Sequence, residues 1–158
     1  MQSGKDVKPE LQKGENKMAK KASYLVLDCE TATLPFIKEL AVTEEERKKI
    51  AIARPVIYDI GWVVTQKDGT ILKRVSYLVQ ETFFVPQVFE TAYYKSKRPK
   101  YIEKLNCGKI KTALWNDIMN ELLEDCKKCN FVSAYNAAFD FKKAIPFTEK
   151  YIKALYSD

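Results

Sequence analysis

An apolar run that ends in two carboxylates, Asp28 and Glu30, is the feature that most constrains the fold. Leu25, Val26 and Leu27 precede them without a polar residue, which predicts a central strand covered on both faces. Side chains alternate along a strand, so Asp28 and Glu30 point to one face, about 7 Å apart. Two such carboxylates repel each other, and a hard cation such as Mg²⁺ relieves the repulsion. The pair predicts a metal site; the simpler interpretation is a strand that ends at a polar loop.

Composition favours a folded chain without a membrane partner. The 158 residues are 46% hydrophobic, enough for one domain with a core. No apolar run approaches the ~20 residues of a membrane span, and the polar start argues against a secretory signal. A cytoplasmic location is therefore expected. The six lysines and three acids of residues 1–21 predict a disordered basic leader before a domain at 22–158.

Histidine is absent from the chain, which excludes Ser-His-Asp and Cys-His catalysis within it. Cys126 and Cys129 form a C-x-x-C pair, but a structural zinc needs four ligands and the other two cysteines, Cys29 and Cys107, are scattered. Reduced thiols are expected, and a zinc or redox module is the less favoured alternative.

Periodicity predicts an α/β fold with a mixed sheet flanked by helices. The region between residues 80 and 111 shows no regular pattern. The predicted elements are strands at 57–64 and 71–79 joined by an Asp-Gly turn at 68–69, a helix over 114–126 capped by Thr112, a parallel strand at 131–135, and a helix from 137 that Pro146 interrupts.

A second polar group follows the last predicted strand, between Asn136 and Asp140. If this strand neighbours the first, Asp140 lies at the same sheet edge as Asp28 and Glu30. Three carboxylates could then hold two divalent ions about 4 Å apart, the arrangement used for phosphodiester cleavage. Alternatively, the segment is only a helix start with Asn136 as its cap and Phe139 in the core.

Together the two motifs resemble the DEDD family of 3′–5′ exonucleases, the superfamily of the DNA polymerase III epsilon subunit, RNase T and oligoribonuclease. The family's first motif, apolar-Asp-x-Glu-Thr, is similar to residues 27–31, and its second, Asn-x-x-Phe-Asp, to residues 136–140. Residues 59–61, Asp-Ile-Gly, resemble its second strand. The resemblance covers roughly residues 22–158 and implies a ribonuclease H-like mixed sheet flanked by helices.

The resemblance also implies an activity, the hydrolysis of nucleotides from a DNA or RNA 3′ end with two Mg²⁺ or Mn²⁺ ions. Asp28 would bridge both ions, Glu30 would bind the first and Asp140 would support the second. The substrate-binding residues implied near the terminal nucleotide are Thr31, Leu34 and Asn136.

Two departures from the family pattern favour an alternative. The position before Asn136 holds Tyr135, and the family's third motif, a fourth acid with a His or Tyr base, has no counterpart before the sequence stops at Asp158. The exonuclease-like domain is therefore expected to be partial, incomplete at the C-terminus. The alternative is a catalytically inactive module of the same fold that binds single-stranded nucleic acid or a DNA polymerase.

Tyrosines and cations alternate between Tyr93 and Tyr101. Such mixtures bind single strands, because bases stack on rings and cations meet phosphates. Lys97, Arg98 and Tyr101 are predicted to hold the strand that enters the site. The alternative is a solvated basic loop whose tyrosines pack inward.

Overall fold

The computed structural model describes residues 23–33, 43–44 and 55–156. They form an α/β fold with a five-stranded mixed sheet flanked by helices, in the strand order β4-β3-β2-β1-β5. The predicted leader at 1–21, Leu34 and Asp158 lie outside the described residues. The strands are β1 (Ser23–Thr33), β2 (Pro55–Gln66), β3 (Ile71–Val79), β4 (Lys111–Ala113) and β5 (Phe131–Ala134).

Strand pairing agrees with the mixed sheet predicted from the sequence. β1 is antiparallel to β2 and β2 to β3, whereas β5 runs parallel to β1 and β4 parallel to β3. The predicted tight turn joins β2 to β3, with Gly69 at φ +86°, a conformation that favours glycine. The Asp68 carboxylate accepts the Thr70 N–H at 3.0 Å. β4 was not predicted, because three residues are too few to show a period.

Helices occupy part of the region that lacked a regular pattern. Among the described residues, the longest helix has 14 residues, and none is both long and apolar enough to cross a membrane. The helices are α1 (Gln80–Phe83), α2 (Pro86–Phe89), α3 (Arg98–Asn106), α4 (Trp115–Lys128), α5 (Ala137–Phe139) and α6 (Ile145–Tyr156), with a 3₁₀ turn at Lys95–Lys97 and a π-helical turn at Asp140–Ala144.

The predicted cap of α4 is wrong. Thr112 pairs with Leu78 in the sheet, and the helix begins only at Trp115. The Trp115 N–H instead donates to the Glu81 carboxylate, at 2.9 and 3.1 Å from its two oxygens. A carboxylate at a helix N-terminus satisfies a free N–H and complements the helix dipole. The prediction that Pro146 splits the last helix is wrong. Helical backbone continues from Ala137 to Tyr156, and Pro146 is the second residue of α6, directly after the π-helical turn.

One face of the sheet, the covered face, packs against helices and holds much of the core. Leu25, Leu27, Ile60 and Trp62 of this face are almost fully buried. The Trp62 indole N–H donates to Asp125 of α4 at 2.9 Å. Burial of the indole together with satisfaction of its donor anchors α4 to the centre of the sheet.

The opposite face, the open face, is exposed over part of its width. Val26 of β1 points to it and is 45% exposed. The prediction that β1 is covered on both faces is therefore wrong for its middle. The residues of the three central strands that share this face include Val26, Asp28, Glu30, Asp59, Gly61, Val63, Arg74, Ser76 and the buried Leu78.

Candidate functional site

Asp28 and Glu30 lie together on the open face of β1, as the alternation of a strand requires. They line a groove of about 930 Å³. Asp28 is exposed and Glu30 is half-buried. The β1–β2 register shifts directly after Glu30, between it and Thr31. Such bulges bend a strand and redirect its side chains, and they are common beside active sites.

Asp59 is a third carboxylate of this site. It lies directly opposite Glu30 on β2, so both side chains point to the open face, and it lines the same groove. We call Asp28, Glu30 and Asp59 the acidic group. The sequence pointed to Asp59 only through its resemblance to the second strand of the exonucleases, and no ligand role was predicted for it.

Burial, followed by repulsion from neighbouring carboxylates, raises the pKa values of Glu30 and Asp59. Burial raises the pKa of Glu30, and the charges of Asp28 and Asp59 raise it further, while Lys97 opposes them. Burial also raises the pKa of Asp59, against a hydrogen bond from Tyr101 and the charge of Lys104. Bringing a cation to this face would reduce the repulsion and favour ionised carboxylates.

Asp140 is not part of the acidic group. Its side chain is 3% exposed and its Oδ1 accepts a hydrogen bond from the Cys29 thiol, with 2.8 Å between sulfur and oxygen. Cys29 lies between Asp28 and Glu30 in sequence, so its side chain points to the opposite, covered face. The predicted centre of Asp28, Glu30 and Asp140 is therefore not assembled in this structure: the strand alternation separates the third acid from the first two.

The acidic group fits a Mg²⁺ site that water and substrate phosphates complete better than it fits a preformed two-metal cage. Within residues 23–33, 43–44 and 55–156, no group of three His, Cys, Asp or Glu side chains is arranged to hold a metal ion. A preformed two-metal cage does not fit this arrangement. Mg²⁺, however, is commonly held by one or two carboxylates, with water and substrate phosphates as its other ligands. Asp28 and Glu30 fit a site of that kind.

No family model, curated protein or solved structure matches this chain. An interpretation of the acidic group therefore depends on the geometry of the open face and on the chemistry of its side chains.

Asn136 and Thr31 have local structural contacts. The Asn136 carboxamide oxygen accepts the Phe139 N–H at 3.4 Å, which makes Asn136 the N-cap of α5, and Phe139 packs against the core. The Thr31 carbonyl accepts the Tyr93 N–H at 3.4 Å. These contacts agree with the helix-start interpretation of the second motif. Substrate contacts of both residues stay predictions.

The segment from Tyr93 to Tyr101 divides into an exposed part and a buried part. Tyr101 is 8% exposed, and its ring packs edge-on against Tyr58, Phe83 and Phe89. The Tyr101 ring therefore packs inward, as the alternative interpretation of this segment indicates, and its contact with the entering strand stays a prediction. Burial and the charge of Asp59 raise the pKa of its hydroxyl well above the usual value.

Lys97 and Arg98 are exposed and remain candidates for phosphate contacts. The Lys97 ammonium lies 3.4 Å from the centre of the Tyr94 ring, a cation–π contact. The Arg98 guanidinium lies 5.6 Å from the centre of the Phe89 ring. Burial and the charges of Asp28 and Asp59 raise the pKa of Glu30, and the charge of Lys97 opposes that rise, so Lys97 acts on the acidic group.

Two cations and two tyrosines that were not predicted as site residues are among the residues that line the groove. Tyr135 is 95% exposed, although its position was noted only as a departure from the exonuclease pattern. Arg74 could have been found from the alternation of β3, but only after the register with β2 was known. The four residues are Arg74, Tyr94, Lys109 and Tyr135.

We expect the Cys29 thiol to resist alkylation. Burial raises its pKa far above the usual value, and the hydrogen bond to Asp140 and that carboxylate's charge add to the shift. Since only the thiolate is nucleophilic, iodoacetamide at pH 8 should modify Cys29 more than about tenfold more slowly than the exposed Cys107. Mass spectrometry of tryptic peptides measures both rates. Equal rates in the folded protein would contradict the Cys29–Asp140 contact, and unfolding in guanidinium should equalise them.

Proposed function

We propose that this chain is a metal-dependent 3′–5′ exonuclease domain with a ribonuclease H-like fold. The observation that carries the proposal is the position of Asp28 and Glu30 on the open face of the central strand, where they line a groove beside Asp59. The substrate would be the 3′ end of a single-stranded DNA or RNA, and the proposed location is the cytoplasm.

The proposal assigns a role to each residue of the acidic group. Bound Mg²⁺ or Mn²⁺ would supply an activated water and stabilise charge on the leaving oxygen. Asp28, the exposed member, is the ligand that an incoming phosphate would meet first. Glu30 and Asp59 are half-buried, and a hydrogen bond from Tyr101 partly offsets the rise that burial causes in the pKa of Asp59. Lys97 would attract the phosphate towards this end of the groove.

The experiment is a hydrolysis assay with a single strand labelled at its 5′ end. We expect a ladder of products shortened from the 3′ end in Mg²⁺ or Mn²⁺, and none in EDTA. The direction follows because a 3′–5′ exonuclease leaves the labelled end intact until last. A strand that stays uncut in both metals would contradict the proposal, as would internal cuts of a circular single strand.

The hydrogen bond between Cys29 and Asp140 favours a second candidate function. The Asp140 carboxylate accepts a hydrogen bond from the Cys29 thiol on the covered face. Asp140 is therefore not beside Asp28 and Glu30, where it would complete a two-metal centre. The same groove could then bind a single strand, or the surface of a DNA polymerase, without cleaving the strand. Calorimetry with Mn²⁺ separates the two candidates, since a binding module need not take up metal through Asp28 and Glu30.

A further inference from the structure

We infer that the open face carries a track for a single-stranded polynucleotide, which crosses the sheet from the acidic group to Arg74 and Lys109. The direction of the strand, with its 3′ end at the acidic group, rests on the proposed function. The track itself rests on the residues that line two adjoining grooves.

The sheet register sets the course of the track. Asp28 lies opposite Gly61 on β2, and Gly61 lies opposite Ser76 on β3. Neighbouring strands are about 4.8 Å apart, so this row spans about 10 Å. Gly61 has no side chain to block the row, and a Cβ there would approach the Val75 carbonyl oxygen to 3.0 Å. The floor between the carboxylates and β3 is therefore low.

Two cations lie near the β3 end of this row, since Arg74 is two residues from Ser76 on the same face of β3. Arg74 and Lys109 are exposed and line the groove that contains the acidic group. Both also line a second groove at the β3–β4 edge, together with Lys111 and with the ion pair of Lys73 and Glu121. The two grooves thus share their cationic wall, and a chain that leaves the acidic group would pass directly along it.

The charges of Arg74 and Lys109 are not used within the described part of the chain. The ion pairs found there join Lys73, Lys127 and Lys153 to carboxylates, and none includes Arg74 or Lys109. Lys73, which directly precedes Arg74, differs from it. Its side chain points to the covered face, where Glu121 and Asp125 neutralise its charge. Exposed, unpaired cations in a groove are suited to phosphates.

One exposed and one half-buried tyrosine complete the recognition surface near the acidic group. Tyr135 is 95% exposed and Tyr94 carries Lys97 against its ring, and both line the groove. Single strands expose the faces of their bases, and base–aromatic stacking does not depend on sequence. A duplex would hide those faces. The combination of unpaired cations and the exposed Tyr135 ring therefore favours a single strand over a duplex.

The test compares two double variants of the full chain that lose the same charge. Arg74→Gln with Lys109→Gln removes the track cations, and Lys127→Gln with Lys153→Gln removes two exposed lysines outside both grooves. Fluorescence anisotropy with a labelled oligothymidylate, in EDTA and at several salt concentrations, gives the affinity and its salt dependence. EDTA prevents hydrolysis and makes the measurement independent of metal.

We expect the track variant to bind about tenfold more weakly, with the slope of log K against log salt reduced by about 1.4, since each neutralised single-strand phosphate contributes about 0.7. The control variant should stay within about twofold of the unmodified chain, and Tyr135→Ala should lose about tenfold through stacking. Equal losses in both double variants, or tighter binding to a blunt duplex, would overturn the track. The exonuclease proposal fails separately, if Asp28→Asn leaves hydrolysis in Mg²⁺ unchanged.

Discussion

Replacement of Asp28 by asparagine is expected to lower the rate of 3′-end hydrolysis by about 10³-fold or more. A metal site contributes several kcal/mol of stabilisation to the charge that develops in phosphodiester cleavage, and each ~1.4 kcal/mol corresponds to a factor of ten in rate. Asparagine keeps the size of the side chain but removes the negative charge that attracts a cation. The measurement is the initial rate of shortening of a 5′-labelled strand in Mn²⁺.

Replacement of Asp28 should also change the pKa values of Glu30 and Asp59. The charge of Asp28 raises the pKa of both Glu30 and Asp59, so its removal should bring both pKa values down and leave the fold as stable as before or slightly more so. A loss of activity without a loss of stability is characteristic of a functional site. Glu30→Gln should behave in the same way.

The matched control is Asp117→Asn, which removes an exposed carboxylate in the first turn of α4. Its hydrolysis rate should stay within about twofold, because Asp117 does not line the groove. If the control and Asp28→Asn lose activity equally, the effect is one of overall charge. If neither loses activity, the nuclease chemistry does not depend on the acidic group.

Sequence patterns that span only a few residues predicted several elements of the fold. Alternation gave the shared face of Asp28 and Glu30, the Asp-Gly pair gave the β2–β3 turn, and helical spacing gave α4 apart from its first residues. Asn136 acts as the N-cap of α5, as the simpler interpretation of its motif indicated. Each of these depends on residues within a few positions of one another, where chain geometry leaves little choice.

Contacts between distant residues explain what the sequence left undetermined. Asp140 was expected beside Asp28, but the Cys29 thiol, 111 positions away in sequence, holds it on the covered face. Asp59 joins the acidic group only because the register places it opposite Glu30. Tyr101 is buried because three rings surround it. No local pattern specifies the register between strands, the face of the sheet on which a distant residue packs, or a cluster of rings. These features needed the structure.

Trp115 gives the second large expected effect, this time on stability. It is 1% exposed, among the largest fully buried side chains, and it begins α4. Replacement by alanine should lower the free energy of unfolding by about 3–5 kcal/mol, because it removes a large apolar contact and leaves a cavity. The Trp115 N–H bond to Glu81 belongs to the backbone, so the start of the helix keeps its cap in the variant.

A phenylalanine at the same position separates the two contributions of the indole. Within the described part of the chain, the buried Nε1–H of Trp115 has no hydrogen-bond partner, and an unsatisfied buried donor costs about 1–3 kcal/mol. Trp115→Phe removes that donor while it keeps most of the apolar volume, so it should cost much less than Trp115→Ala. Urea unfolding followed by circular dichroism measures both, with Leu114→Ala, at a neighbouring side chain that is 47% exposed, as the control expected within about 0.5 kcal/mol. If phenylalanine destabilises the fold as much as alanine does, the indole N–H must be bonded in the folded protein, and α4 would be anchored through a polar contact rather than through volume alone.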